Sequence, residues 1–188
     1  MSKDFKIIFV HGWDASSNEH WYPNISKELT KLRIDFAIPN LPKGDHPKAL
    51  EWLDALRNEV IKTTKPIVFV GHSLGTRTIL LYLEKYKIKV KEVFLISTFA
   101  NRLENSNKYD EGAYADFFKH KIDIDNIKKY ANKFIVIHSK DDPLDYGQGV
   151  EISKDLDAKL ISLDGKGHMS GPKNALIILN ILRKELEF

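Results

Sequence analysis

Six short apolar runs limit how this chain can fold: KIIFV (6–10), IDFAI (34–38), IVFV (67–70), EVFLIST (92–98), KFIVIHS (133–139) and KLISL (159–163). Most are apolar throughout instead of alternating, which is the pattern of strands in a parallel sheet covered on both faces. Parallel strands need crossover connections, and the segments between the runs carry helical spacing. Trp21, Ile25, Leu29 and Leu32 form one stripe, Ala49, Leu53, Leu56 and Val60 a second, and Ala175, Leu179, Leu182 and Leu186 a third. Pro172 falls near the start of the third, where a missing N–H costs nothing. Strand and helix in alternation predict a doubly wound α/β domain, a three-layer sandwich with about six mostly parallel strands and right-handed crossovers.

One segment interrupts the alternation. NRLENSNKYDEGAYADFFKHKID, residues 101–123, is long for a connection in a compact domain, and such loops are usually functional. Its aromatics Tyr109, Tyr114, Phe117 and Phe118 suggest a small cap-like insertion that packs over something. No internal repeat or linker divides the chain, so residues 1–188 are expected to form a single domain.

Composition narrows the classes of function. With 188 residues, 43% hydrophobic and 29% charged, the chain can enclose a core and is not disordered as a whole. The formal charge of +3 comes from lysines scattered through the helical segments, so no nucleic-acid partner is expected. The absence of cysteine removes disulfides, thiolate nucleophiles and thiolate metal sites. The four-residue apolar run before His11 is too short for a signal-peptide core, and ALIILNIL (175–182) is too short to span a bilayer. A cytoplasmic protein without a membrane span is therefore expected.

The third run ends in Gly71-His72-Ser73-Leu74-Gly75, a match to G-x-S-x-G. That pattern places a serine on a sharp strand-to-helix turn, and small residues two positions either side avoid collision with the neighbouring strand and helix. In open α/β sheets ligands gather beyond the carboxyl ends of the strands, where this turn must lie. A serine hydroxyl becomes nucleophilic when a base takes its proton, and the base needs a carboxylate to fix its tautomer. Asp141, Asp142 and Asp145 follow the fifth run, and His168 follows the sixth within DGKGHMSG. The order Ser, Asp, His is that of hydrolases built on such sheets. His11 and His72 also lie at strand ends, whereas His20, His46, His120 and His138 lack both that position and a glycine-rich setting.

Acyl transfer also needs N–H donors for the oxyanion. The backbone of Leu74, after the serine, supplies one, and the loop after the first run supplies another at Trp13, with Gly12 allowing the turn. His11, Gly12, Phe99 and Met169 are further candidates for contact with substrate.

Taken together these residues resemble the α/β-hydrolase superfamily and, within it, the small serine hydrolases that include retinoblastoma-binding protein nine and the bacterial YdeN-type proteins. The likeness runs over nearly the whole chain: His11-Gly12 after the first run, P-N-L-P at 39–42, Glu51-Trp52-Leu53, GHSLG, S-K-D-D-P and the late Gly167-His168. The resemblance implies that the acid is the aspartate before the proline, Asp142, and hence a set of Ser73, Asp142 and His168. It also implies a six-stranded sheet without the two antiparallel N-terminal strands of larger relatives, and neither metal nor organic cofactor. Binding to retinoblastoma-type pockets through Leu-x-Cys-x-Glu cannot apply, because the chain has no cysteine.

The function expected is hydrolysis of a carboxylic ester or thioester through an acyl-enzyme, with a small-molecule acyl substrate as partner and a monomer or weak homodimer as the assembly. The alternative is a catalytically weak scaffold serving as a protein-interaction module, since fold does not fix function. A retired enzyme tends to lose its serine, histidine or glycines, and all are present. GKGHMSG (165–171) is spaced wrongly for a dinucleotide loop and follows the final strand.

Overall fold

The computed structural model describes residues 3–100, 112 and 114–188. Its strands are β1 (Lys6–Val10), β2 (Asp35–Ala37), β3 (Ile67–His72), β4 (Glu92–Ile96), β5 (Phe134–Ser139) and β6 (Lys159–Leu163). They form one sheet in the order β2-β1-β3-β4-β5-β6, with every pairing parallel. The helices are α1 (Tyr22–Lys31), α2 (Ala49–Val60), α3 (Leu74–Tyr86), α4 (Ala115–Lys119), α5 (Ile124–Ile127), α6 (Tyr146–Asp155) and α7 (Asn174–Leu186), with a 3-10 turn at Lys128–Tyr130.

The central strands are apolar on both faces because each face meets a helical layer. In β1, Ile7 and Phe9 join a core with Trp21, Ile25 and Leu29 of the α1 region and Ile178 and Leu182 of α7. Ile8 and Val10 join the opposite core, with Trp52 and Leu56 of α2, Ile79 and Leu83 of α3, and Ile152 of α6. Alternate side chains of one strand thus feed two layers, as the period of two in a pleated strand requires.

The edge strands depart from the expectation of full burial: β2 is half-buried, and Lys159 and Ser162 of β6 reach solvent. An edge strand has only one neighbour and less helix above and below it. Leu32, the last residue of the first stripe, is 38% exposed, because α1 ends at Lys31 and the chain turns away. Pro172 precedes α7 by two residues, so the expected placement at the start of that helix is corrected to the turn before it.

Within the expected insertion, Tyr109 and the rest of 101–111, with residue 113, lie outside the described residues. The remainder is firmly attached. Phe117 is fully buried against Trp52, with ring centroids 5.1 Å apart. The buried Arg77 guanidinium of α3 donates to the carbonyls of Phe117 and His120 at 3.3 and 2.8 Å. Asp116 accepts the Ala49 N–H at 2.8 Å, which ties α4 to the first turn of α2.

Because all strands run the same way, the residues that follow β1, β3, β4, β5 and β6 emerge along one edge of the sheet. Among the described residues no helix is long and apolar enough to cross a membrane.

Candidate active site

β3 passes directly into α3 through Ser73, whose φ of 52° and ψ of −124° are unusual for a residue with a side chain. The conformation is held by neighbours. Ser73 N–H donates to the Ile96 carbonyl at 2.9 Å, while its own carbonyl accepts the Thr76 N–H at 2.9 Å and the Thr76 hydroxyl at 2.6 Å. The turn also demands close backbone contact: a Cβ on Gly75 would sit 2.0 Å from the Val10 carbonyl oxygen, and one on Gly71 would sit 2.9 Å from the Gly75 carbonyl oxygen. The two glycines of the motif are therefore explained by contact with β1 and within the turn.

His168 follows β6 in a loop that returns over the same edge. Its Nδ1 lies 2.8 Å from Asp142 Oδ1, and a carboxylate can only accept, so the ring carries its hydrogen on Nδ1 and leaves Nε2 free to take a proton. The Asp142 side chain is fully buried and that of His168 is 28% exposed. Burial alone would raise the Asp142 carboxyl, but the hydrogen bond and charge of His168 and the Leu144 N–H at 2.8 Å hold it below the usual aspartate value. The Ser97 hydroxyl adds to this effect from nearby, although it falls short of ordinary hydrogen-bond geometry.

Ser73 and His168 open onto one cavity of about 430 Å³, whose other lining residues are Trp13, Leu74, Phe99, Tyr114, Pro143 and Leu144. Three aromatic rings stand in series along it, with Trp13 to Tyr114 centroids 5.7 Å apart and Tyr114 to Phe99 6.1 Å apart. Leu74 is the first residue of α3, where backbone N–H groups have no acceptor within the helix. Trp13 is 42% exposed and not a core aromatic; its indole N–H donates to the Gly44 carbonyl at 3.2 Å. Gly12 lies against the serine, since a Cβ there would come within 3.0 Å of Ser73 Cβ.

Two of the residues expected to touch substrate are placed elsewhere. Met169 is fully buried in the core formed with α1 and α7, because the chain dips inward just after His168. His11 is 1% exposed, and both its ring nitrogens are engaged: Nδ1 donates to the Gly12 carbonyl at 2.9 Å and Nε2 accepts the Leu41 N–H at 3.1 Å. His11 is thus a brace between the first loop and the P-N-L-P loop.

The three acids after β5 have separate tasks. Asp142 meets His168, and Asp145 caps α6 by accepting the Gly147 N–H at 2.9 Å. Asp141 accepts the N–H groups of Lys166 and Gly167 at 3.1 and 3.2 Å, just ahead of His168. Two histidines not expected at the site, His138 and His20, also lie near it. The buried His138 donates from Nε2 to the Leu144 carbonyl at 3.2 Å, with the same nitrogen 3.5 Å from Asp142 Oδ2. His20 lies beside His72, with ring centroids 6.1 Å apart. His138 does lie at the end of β5, which corrects the expectation that it lacks a strand-end position; nothing local marks His20.

His72 is buried, and its Nε2 donates to the His168 carbonyl at 2.7 Å. Burial, aided by the neighbouring His168, pushes its pKa down to about 3. The unfolded chain binds a proton at this residue below the ordinary 6.5 while the folded chain does not until about pH 3, so stability falls as pH falls through that window. Burial lowers His11 and His138 in the same direction. Each such histidine steepens the pH dependence by up to about 1.4 kcal/mol per pH unit. Urea unfolding between pH 6.5 and 5 should therefore show stability rising with pH, and His72→Gln should flatten the slope; an unchanged slope would mean that His72 protonates normally in the fold.

Comparison with known proteins identifies the family and the fold. Residues 7–173 match the family model described as serine hydrolase. The chain is 31% identical over 166 residues to YdeN of Bacillus subtilis (strain 168), named as a hydrolase, covering 87% of this chain and 85% of that protein. The crystal structure of the ydeN gene product superposes with a TM-score of 0.84 at 26% identity, covering 99% of this chain and 100% of that one. Est1E from Butyrivibrio proteoclasticus, with ferulic acid bound, shares the fold with a TM-score of 0.75 at 16% identity, covering 97% of this chain and 88% of that one. The sheet, the strand-to-helix turn at Ser73 and the family match lead to one conclusion: this chain is an α/β-hydrolase that belongs to the serine hydrolase family.

Proposed function

We propose that the protein hydrolyses carboxylic esters or thioesters with Ser73 as nucleophile, His168 as general base and acid, and Asp142 as the acid that orients His168. The observation that carries this reading is the 2.8 Å bond between His168 Nδ1 and Asp142 Oδ1 beside a cavity that His168 shares with Ser73. With the ring hydrogen committed to Asp142, His168 Nε2 takes the Ser73 proton as Oγ bonds to the acyl carbon. The backbone N–H groups of Leu74 and Trp13 receive the oxyanion. His168 then gives its proton to the departing alcohol or thiol as the bond to the acyl carbon breaks. Water enters, His168 takes one of its protons, and the new carboxylic acid leaves as Ser73 recovers its hydrogen.

The lining of the cavity supports a neutral acyl group. Apart from Ser73 and His168, its described walls are Trp13, Tyr114, Phe99, Leu74, Pro143 and Leu144, with no carboxylate or ammonium among them. A charged acyl chain there would lose its hydration without gaining a partner. A series of p-nitrophenyl esters with short to medium acyl groups should be turned over, and a succinate half-ester of similar length should be poorer by at least about tenfold. A fluorophosphonate probe should attach to the peptide that contains Ser73. Absence of labelling together with absence of ester turnover would remove this reading.

A further inference from the structure

The loop that delivers His168 has little packing of its own. Gly165 and Gly167 have φ values of 66° and 52°, and a Cβ added at either would meet nothing within 4 Å. Lys166 between them is exposed. Such a stretch of backbone is located by hydrogen bonds and by the residues anchored at its ends. Met169, fully buried, anchors one end.

The polar contacts on the backbone of residues 166–168 come from two sides, and beyond Met169 the Ser170 carbonyl also faces His20 Nδ1 at 3.0 Å. From the β5 side, Asp141 spreads its two carboxylate oxygens over consecutive N–H groups, Oδ1 to Lys166 at 3.1 Å and Oδ2 to Gly167 at 3.2 Å. The carboxylate is itself fixed by the Ser139 hydroxyl, which donates to Oδ1 at 2.5 Å. From the β3 side, the His72 ring donates to the carbonyl of His168 itself at 2.7 Å and packs on the His168 ring with centroids 5.1 Å apart. His72 immediately precedes Ser73, so the same short piece of chain that sets the serine also holds the backbone of the histidine.

We propose that His72 and Asp141 are positioning residues that clamp the His168 loop from opposite sides and set the approach of its imidazole to Ser73. The proposal rests on the reading of Ser73, His168 and Asp142 as the reacting set. Neither clamp residue touches substrate. They act by removing freedom from a loop whose displacement by about 1 Å can cost a hundredfold in rate.

The decisive comparison is His72→Met against His72→Gln. Both replace the ring with an unbranched chain of similar length, but only glutamine can carry an N–H to the His168 carbonyl. His72→Met should lower kcat and the second-order rate of fluorophosphonate labelling by about 10- to 100-fold, with KM nearly unchanged. His72→Gln should recover most of that loss at equal thermal stability. Asp141→Ala, an exposed change, should lower the same two rates with KM and Tm unchanged, and it carries the test if His72→Met does not fold. Labelling at the wild-type rate in His72→Met or in Asp141→Ala, or losses as large with glutamine as with methionine, would overturn the clamp. Ser73→Ala and His168→Ala are measured in parallel. If those two remain active, the reacting set itself is wrong; if they are dead while the clamp variants keep full rates, only the clamp fails.

Discussion

Ser73→Ala should lower kcat on an activated ester by about 10⁶-fold, and Asp142→Asn should lower it by about 10⁴-fold. The first change removes the atom proposed to bond to the acyl carbon. The second leaves the shape intact but reverses a hydrogen bond: a carboxylate oxygen 2.8 Å from His168 Nδ1 demands a hydrogen on that nitrogen, whereas an amide NH₂ in its place would donate and drive the hydrogen to Nε2. A ring with its hydrogen on Nε2 cannot accept the serine proton. The buried carboxylate would also no longer balance the imidazolium of the proposed attack. KM should change little in either variant, since both leave the apolar walls of the cavity at Trp13, Phe99, Tyr114, Pro143 and Leu144 as they are.

The neighbouring acids supply the control. Asp145→Asn should stay within about twofold of wild type, because asparagine caps a helix as well as aspartate does. Asp141→Asn keeps an acceptor for one of its two N–H partners and should fall between the other two. Steady-state kinetics on all three variants decide the matter, and losses of equal size would show that Asp142 has no special relation to His168.

Gly75→Ala should destabilise the fold by about 3 kcal/mol or more, measured by urea unfolding. The added carbon would stand 2.0 Å from the Val10 carbonyl oxygen and 2.7 Å from that of His11, and both belong to backbone that cannot swing aside. Relief requires α3 to move away from β1, which would pull on the Ser73 N–H bond to Ile96 and spoil the turn. Gly167→Ala is the contrast. It has open space around it and a φ of 52°, so only the cost of a left-handed conformation applies, about 1 to 2 kcal/mol. A Gly75→Ala protein as stable as wild type would mean that α3 and β1 are not so closely opposed.

Much of the fold could be read from the residues because its signals are local. Continuous apolar runs mark the central strands β1, β3, β4 and β5, which fall inside or within two residues of their expected positions, and the run at the edge strand β6 coincides with it. The signal fades where burial is incomplete. β2 is only three residues long, α1 leaves Leu32 exposed, and the apolar character of β6 does not reveal that it sits at an edge. Edge or centre is a property of strand order, which no single segment carries.

The sequence by itself determined the layered α/β plan and the turn at Ser73, because periodicity and paired glycines are written in consecutive residues. Only the tertiary structure decided what the remaining polar residues near that turn do. Asp141, Asp142 and Asp145 are neighbours in the chain, yet one meets backbone, one meets His168 and one caps a helix. His72 and His138 hold hydrogen bonds to carbonyls 96 and 6 residues away, and Met169 turns into the core one residue after His168. The physical reason is that a side chain's role depends on which partners are within about 3 Å of it, and those partners arrive from separate strands only when the sheet has closed the distance.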